Sequence, residues 1–464
     1  MKRLIIILAL FGALVSCKNS ESDDNNTAKL HASPPGTKRG VGYDFRTLKA
    51  PGDKNQSTVY TGKDMELLMS GTVGIRWFYN WGVAGNENIV ETEARDRGLE
   101  FVPMTWNGQY TENNYKNYVK RNPGTKYLLA FNEPNFRHQA NMTPEEAAKA
   151  WPKLRTLAKE ANLKIISPAM NYSGGGESNG WNDPTAWLDE FRRLIGEKAW
   201  NEIEGIAVHL YAWWPNVVDM NIYRKYGKKL WLTEFCGWED LQKRTPSPEL
   251  QAWYLSQAVV YLEADPLVAR YAWYLPKGHV AATNPPTGSA GVNPFHNLIT
   301  EVNEGTTPEL TDLGIIYTNI PSLDKGVWYS AGDTIDASQF MNSNLAEAAQ
   351  TGKWSDSVLF RPVTDTDKSS GALEIYEFGK NMWVEYQIDV KTATTYTLTV
   401  RYNAAANAAL IAKFDGNADK EKTLNSGGAW DTQTIDLGNI EAGKHTLRLR
   451  INSGKCALNW LKVE

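Results

Sequence analysis

Residues 127–135 read Tyr127-Leu128-Leu129-Ala130-Phe131-Asn132-Glu133-Pro134-Asn135. A short apolar run closing on an amide and a carboxylate is the pattern of a buried strand that delivers polar groups to its C-terminal end. The pattern recurs. Between Lys38 and Thr311 the runs Gly40 to Phe45, Gly74 to Trp81, Glu100 to Trp106, Tyr127 to Asn132, Lys164 to Met170, Gly205 to Tyr211, Lys229 to Phe235 and Val268 to Leu275 make eight strand candidates. Helices are expected at Asp64 to Met69, Ile89 to Arg97, Pro144 to Ala161, Pro184 to Ile195 and Pro248 to Ala264. Pro144 and Pro248 suit a first helical turn, and Asp183 can cap the helix that starts at Pro184. Such repeated parallel units predict an α/β fold, a (β/α)8 TIM barrel over residues 38–311.

Barrels of this kind gather strand C-termini on one open face. Here those ends carry Tyr43-Asp44, Arg76-Trp77, Thr105-Trp106-Asn107, Asn132-Glu133-Pro134-Asn135, His209-Leu210-Tyr211, Thr233-Glu234-Phe235 and Trp273-Tyr274. Glu133 closes the fourth strand and Glu234 the seventh. Two carboxyl groups facing each other across a bond, one donating a proton and the other attacking or activating water, are the groups that glycosidic cleavage requires. Arg76, Asn132, His209 and Tyr211 are candidates to support that pair. Trp77, Trp81, Trp106, Asn107, Trp213, Trp214, Trp238 and Tyr274 are candidates to meet a sugar, because flat rings with polar edges suit sugar faces as well as cores.

Composition narrows the partners. The chain has 464 residues, a length that predicts two domains, and its net charge of -4 with no basic run gives no footing for nucleic acid. No CxxC pair, HExxH sequence or clustered calcium-loop pattern is present, so neither a cofactor nor a catalytic metal is expected. Cys236 reads as a small buried strand residue rather than a nucleophile. Cys236 and Cys456 fall in different predicted domains, which disfavours a disulfide. A monomer is expected.

The first residues read as a targeting segment. Lys2-Arg3 precede an apolar run too short to span a bilayer, ending Leu14-Val15-Ser16-Cys17. That ending resembles a bacterial lipobox, and the following Ser-Glu-Ser-Asp-Asp-Asn-Asn resembles an export tag of surface lipoproteins. The resemblance implies lipidation at Cys17 and an exported protein held at the outer membrane or cell surface by its lipid, with residues 1–17 as signal segment and 18–37 as a polar tether.

The segment LLAFNEPN, together with GVGYDF, WFYNW, VPMTWNG, VHLYAWW and WLTEFCGW, resembles glycoside hydrolase family 128, over roughly residues 38–310. The resemblance implies a retaining endo-β-1,3-glucanase that takes β-1,3-glucan or its oligosaccharides. It implies Glu133 as general acid/base, Glu234 as nucleophile, and Asn132 holding the sugar 2-hydroxyl. The main alternative is a non-catalytic surface glycan-binding protein that keeps the groove; an adhesion protein with aromatic patches is a third reading.

Residues 312–330 are expected to be a linker, and residues 331–464 an all-β sandwich. Thr446-Leu447-Arg448-Leu449-Arg450-Ile451 alternates with the period of a half-buried strand. The tail GAWDTQTIDLG, HTLRLRINSG and ALNW resembles carbohydrate-binding module family 6. In that resemblance Trp430 stacks on sugar and Asn459 supplies a polar contact, although Cys456 and Ala457 break the usual Phe-Asn-x-Asn-Trp pattern. Trp383 and Trp460, embedded in strand-like runs, read as core rings.

Overall fold

The computed structural model of the chain describes residues 36–45, 61–172, 177–212, 215–239, 247–277, 295–300, 307–367, 369 and 371–464. The leader with Cys17, most of the predicted tether, Trp213, Trp214 and the side chain of Trp238 lie outside the described residues.

The first domain is a curled parallel sheet of β1 (Arg39–Gly42), β2 (Trp77–Tyr79), β3 (Glu100–Phe101), β4 (Tyr127–Leu129), β5 (Lys164–Ile166), β6 (Met170–Asn171), β7 (Ile203–Ala212), β8 (Lys229–Glu239) and β9 (Val268–Trp273). Its order is β3-β2-β1-β9-β8-β7-β5-β4, with β6 beside β7. Past β3, Thr105 N–H donates to the Leu129 carbonyl at 2.9 Å, and Leu129 N–H to Pro103 at 2.9 Å. All eight expected strands are found, most in shorter form, while β7 and β8 run longer than expected. The fifth breaks into β5 and β6 because Pro168 has no N–H for the ladder. The Ser167 hydroxyl fills part of the gap by accepting from Ala207 N–H at 2.9 Å.

The helices are α1 (Thr61–Met69), α2 (Ile89–Arg97), α3 (Glu112–Arg121), α4 (Pro144–Glu160), α5 (Pro184–Asn201), α6 (Pro248–Ala264) and α7 (Asp312–Asn319). Their starts follow local chemistry. Thr143 and Glu146 form a capping box around Pro144, and Asp183 accepts from the Thr185 and Ala186 amides. The predicted linker needs correction, since its first residues form α7 and pack on the sheet. Tyr317 donates its hydroxyl to Gly40 O at 2.6 Å, and Gly314 lies so close that a Cβ would sit 1.9 Å from the Leu298 carbonyl oxygen. Buried Arg39 ties α6 and α7 to β1, reaching Glu263 at 3.0 Å and the Ile320 carbonyl at 3.0 Å.

Inside the curl, Trp77, Tyr79, Val102, Met104, Leu129, Ile166, Ala169, Ala207, Trp231 and Ala272 pack together, while Phe78 and its like face the helices. The period-two alternation of a strand makes this division. Arg270, held to Glu100 at 2.7 Å, lies over Trp77, Tyr127 and Trp231 near the N-terminal strand ends.

The C-terminal domain is β-rich, with two six-stranded sheets. One runs 329–330, 383–390, 443–453, 408–414, 420–424, with 342–343 beside 383–390; the other runs 359–362, 373–379, 455–463, 394–403, 430–440, with 334–336 beside 455–463. Leu447, Leu449 and Ile451 are buried between part-exposed Thr446, Arg448 and Arg450, as their alternation predicts. This domain rests on the first: Trp354 stacks on Tyr261 of α6 at 5.1 Å, and Phe360 N–H donates to Ser256 Oγ at 3.2 Å.

Candidate active site

At the C-terminal strand ends a cavity of about 510 Å³ is lined by Trp81, Trp106, Asn132, Glu133, Phe136, Gln139, Asn171, Glu177, Tyr211, Glu234 and Tyr274. Glu133 and Glu234 are both 4% exposed. One oxygen of each, together with one His209 nitrogen, lie within 4.8 Å of one another. Strands four and seven of the sequence pattern thus bring their carboxylates together.

Glu133 holds its position by backbone geometry. Its φ is 44°, in the left-handed region, which costs a residue with a Cβ about 1–3 kcal/mol. Hydrogen bonds hold it there: Glu133 N–H donates to Ala169 O at 2.9 Å, and its carbonyl accepts from Phe136 N–H at 3.0 Å. The turn swings the carboxylate over the sheet. Asn171 Nδ2 donates to Glu133 Oε1 at 2.7 Å, and His209 Nδ1 stands 2.6 Å from that oxygen.

Glu234 is met by donors. Tyr79 donates to Oε1 at 2.6 Å, Trp81 Nε1 to the same oxygen at 2.7 Å, and the Tyr211 hydroxyl to Oε2. Burial, then the Glu234 charge, push both phenols well above their ordinary range, so they stay protonated donors. Burial raises the Glu234 carboxyl above its ordinary value. The charge of His209 and the tyrosine hydrogen bonds pull the other way, and nearby Glu133 adds to the rise. Burial also opposes charging of His209, but the Glu234 charge and the Glu133 contact outweigh it and the imidazole is raised.

Glu133, His209 and Glu234 have the spacing that a cation could bridge. The 2.6 Å contact from Nδ1 to Glu133, however, already commits that nitrogen to a hydrogen bond. We read the trio as a hydrogen-bonded unit.

The other expected residues divide. Trp106 and Tyr274 line the cavity, and Tyr274 meets Trp81 and Tyr211 edge to face at 5.9 and 5.5 Å. Asn132 lines it too, with Nδ2 on Gln139 Oε1 at 3.1 Å and Oδ1 buried without a partner among the described residues. Asn107 is not among the lining residues; its Oδ1 accepts from Gln109 N–H at 2.8 Å, closing a turn. Arg76 needs correction. It precedes β2, at the opposite end from Tyr79, and is exposed. Trp77 does as well: it is fully buried inside the curl with Nε1 on Lys38 O at 2.9 Å, out of reach of substrate. Tyr79, Asn171, Phe136, Gln139 and Glu177 were not expected. Tyr79 had a signal, since it follows Trp77 by two residues on the same strand face and nearer the C-terminal end.

In the second domain Trp430 is half-buried at the start of strand 430–440, opposite Asn403. Asn459 is fully buried, and its Nδ2 donates to Asp365 Oδ2 at 3.0 Å and to Asp367 O at 2.9 Å. It braces a loop instead of meeting a sugar. Trp383 is buried as expected; Trp460 is part-exposed and donates Nε1 to Asp367 at 2.9 Å.

A family model described as "Glycosyl hydrolase catalytic core" matches residues 57–316, more than half of the chain. The chain belongs to that family. A second model, "Carbohydrate binding module (family 35)", matches residues 361–463, the region whose sequence resembles family 6. Among solved structures this glycosyl hydrolase is similar to a subgroup II family 128 endo-β-1,3-glucanase from Pseudomonas viridiflava, at 30% identity over 61% of this chain and 96% of that one, TM-score 0.47. A subgroup II enzyme from Sorangium cellulosum is 27% identical over 61% and 97%, TM-score 0.46. Among curated proteins, Alkali-sensitive linkage protein 1 of Schizosaccharomyces pombe is 27% identical over 219 residues, 45% of this chain but 36% of that protein's length.

Proposed function

We propose that the chain is a retaining endo-β-1,3-glucanase with Glu133 as general acid/base and Glu234 as nucleophile. The observation that carries this reading is that one oxygen of each carboxylate lies within 4.8 Å of the other, a bound that favours the roughly 5 Å of retaining pairs over the roughly 6.5 Å or more that an inverting water needs. Glu234 receives three donors, which favour its ionised form, and Glu133 receives the Asn171 amide and contacts His209. Glu133 protonates the departing glycosidic oxygen while Glu234 attacks the anomeric carbon. Glu133 then takes a proton from water, which releases Glu234 with the configuration retained. The parallel strand order, and the hydrogen bonds from residues 103–105 to Leu129, support a closed (β/α)8 barrel beneath this site. Purified protein given a panel of polysaccharides is expected to cut β-1,3-glucan into oligosaccharides of several lengths. Cleavage of another linkage in its place, or release of single terminal units only, would contradict this.

The pH profile tests the nucleophile. Glu234 must be ionised, so activity falls as pH drops through its raised value. Tyr79 is one of the groups that lowers it. Tyr79→Phe is therefore expected to move the acid limb of kcat/KM to higher pH; a limb left in place would remove Tyr79 from this role.

For the second domain we propose glycan binding through Trp430, keeping substrate near the cavity. Trp430→Ala is expected to weaken retardation of the full chain in glucan gels by about 1–3 kcal/mol, the scale of a ring stacked on a flat ligand. Equal retardation would reject that contact. We also propose that Cys17 is lipidated and holds the protein at the outer surface. Cys17→Ser is expected to lose lipid label and membrane retention, and retention of both would refute the anchor.

A further inference from the structure

The segment Asn132-Glu133-Pro134-Asn135 contains an asparagine that the reaction above leaves unused. Asn135 is fully buried, and its side chain pairs with the backbone of Asn171. Its Nδ2 donates to Asn171 O at 2.8 Å, and its Oδ1 accepts from Asn171 N–H at 3.4 Å. This pair of bonds does what a ladder rung does between strands, and it sets β6 beside the turn that carries Glu133.

Asn171 is 5% exposed, and its side chain reaches the carboxyl directly. Nδ2 lies 2.7 Å from Glu133 Oε1, and His209 Nδ1 lies 2.6 Å from the same oxygen. An N–H must face that acceptor, so the sense of the Asn171 amide is set by chemistry. Glu133 Oε2 has no hydrogen-bond partner among the described residues.

We propose that Asn171 is a positioning residue for Glu133, which by occupying Oε1 together with His209 confines the transferable proton to Oε2. This rests on the reading of Glu133 as acid/base. A protonated carboxyl carries one O–H, and an oxygen already accepting the Asn171 N–H is the poorer place for it. In the first step the proton leaves Oε2 for the glycosidic oxygen as the C1–O bond breaks and Glu234 bonds to C1. Glu133 is left as a carboxylate, and its Oε1 keeps the Asn171 N–H, which stabilises the charged form. Asn135 holds only the Asn171 main chain, so changing the Asn171 side chain leaves that brace intact.

The other titratable groups around Glu133 are His209 and Tyr211 on β7, Glu234 on β8, Tyr79 on β2, Tyr274 after β9 and Glu177 after β6. All stay in place when Asn171 is substituted. Loss of the Asn171 N–H disfavours ionised Glu133, so the basic limb of kcat/KM, where the acid form is lost, moves to higher pH in Asn171→Ala. Asn171→Asp adds a like charge and moves it further. With the Asn171 donor gone from Oε1, that oxygen competes better for the proton, and kcat on phenyl β-laminaribioside falls about tenfold more than on the dinitrophenyl analogue, whose leaving group needs little protonation.

The test combines those pH profiles and leaving groups with a ¹³C titration of the Glu133 side-chain carboxyl in wild type and Asn171→Ala. The expected result is an upward shift of basic limb and ¹³C midpoint together, with the leaving-group split. An unmoved limb and equal losses on both substrates would make Asn171 merely structural and overturn the proposal. If the wild-type chain cleaves neither glycoside, the functional reading fails. The ¹³C midpoint then decides alone, and one unchanged in Asn171→Ala overturns the positioning role.

Discussion

Glu234→Ala is expected to lower kcat on β-1,3-glucan by about a million-fold, the scale of removing a catalytic nucleophile. The site leaves no substitute. Glu133 faces Asn171 and His209, while the donors Tyr79, Trp81 and Tyr211 converge where the Glu234 carboxylate would be. The truncation opens a space beside the anomeric carbon, lined by those donors. Azide entering there would attack from the nucleophile's side and give a glycosyl azide of α configuration. Reducing-end release and proton NMR of the azide product check this, with circular dichroism to establish that the variant is folded. Near wild-type turnover in a folded variant would remove Glu234 from the chemistry.

Glu133→Ala is expected to behave differently. General acid–base help is worth about 10²–10⁴-fold, so polymer hydrolysis should fall by that order. An aryl glycoside with an activated leaving group should still form the glycosyl-enzyme and then stall, because no base activates water. Azide needs no base, and is expected to restore turnover and yield a β-glycosyl azide. A burst of the phenol followed by a slow phase would record the stall. Equal losses on good and poor leaving groups, with no azide rescue, would deny Glu133 the acid/base role. Opposite azide configurations from the two variants would give the two carboxylates separate roles.

Much of this site was legible because each carboxylate arrives on one local segment. LLAFNEPN and WLTEFCGW each place a Glu where a short apolar run ends, and both ends reach the same cavity. What failed was fine register. The run 74–81 was correctly a strand, yet only Trp77–Tyr79 enters the ladder. Arg76 therefore falls at the far end from the site and Trp77 into the inner layer, while Tyr79 takes the place expected of them. Asn171 was hidden for another reason: its contact to Glu133 depends on the break at Pro168 and on the Asn135 brace, neither of which has a periodic signature. Helix α7 read as linker because its partners, Arg39 and Gly40, lie at the other end of the domain. The ALNW tail of the second domain was read by its resemblance, but Asn459 lies in a strand with its amide turned to Asp365 and Asp367.

The closeness of Glu133 and Glu234 is the feature on which the proposed reaction turns, and its stereochemical consequence can be observed directly. Proton NMR of a β-1,3-glucan digest, recorded before mutarotation equilibrates the new reducing ends, reports the anomer first released. The expected result is early accumulation of the β-anomer, with the α-anomer appearing only at the rate of mutarotation. Initial release of the α-anomer would contradict double displacement and with it the assignment of Glu234 as nucleophile.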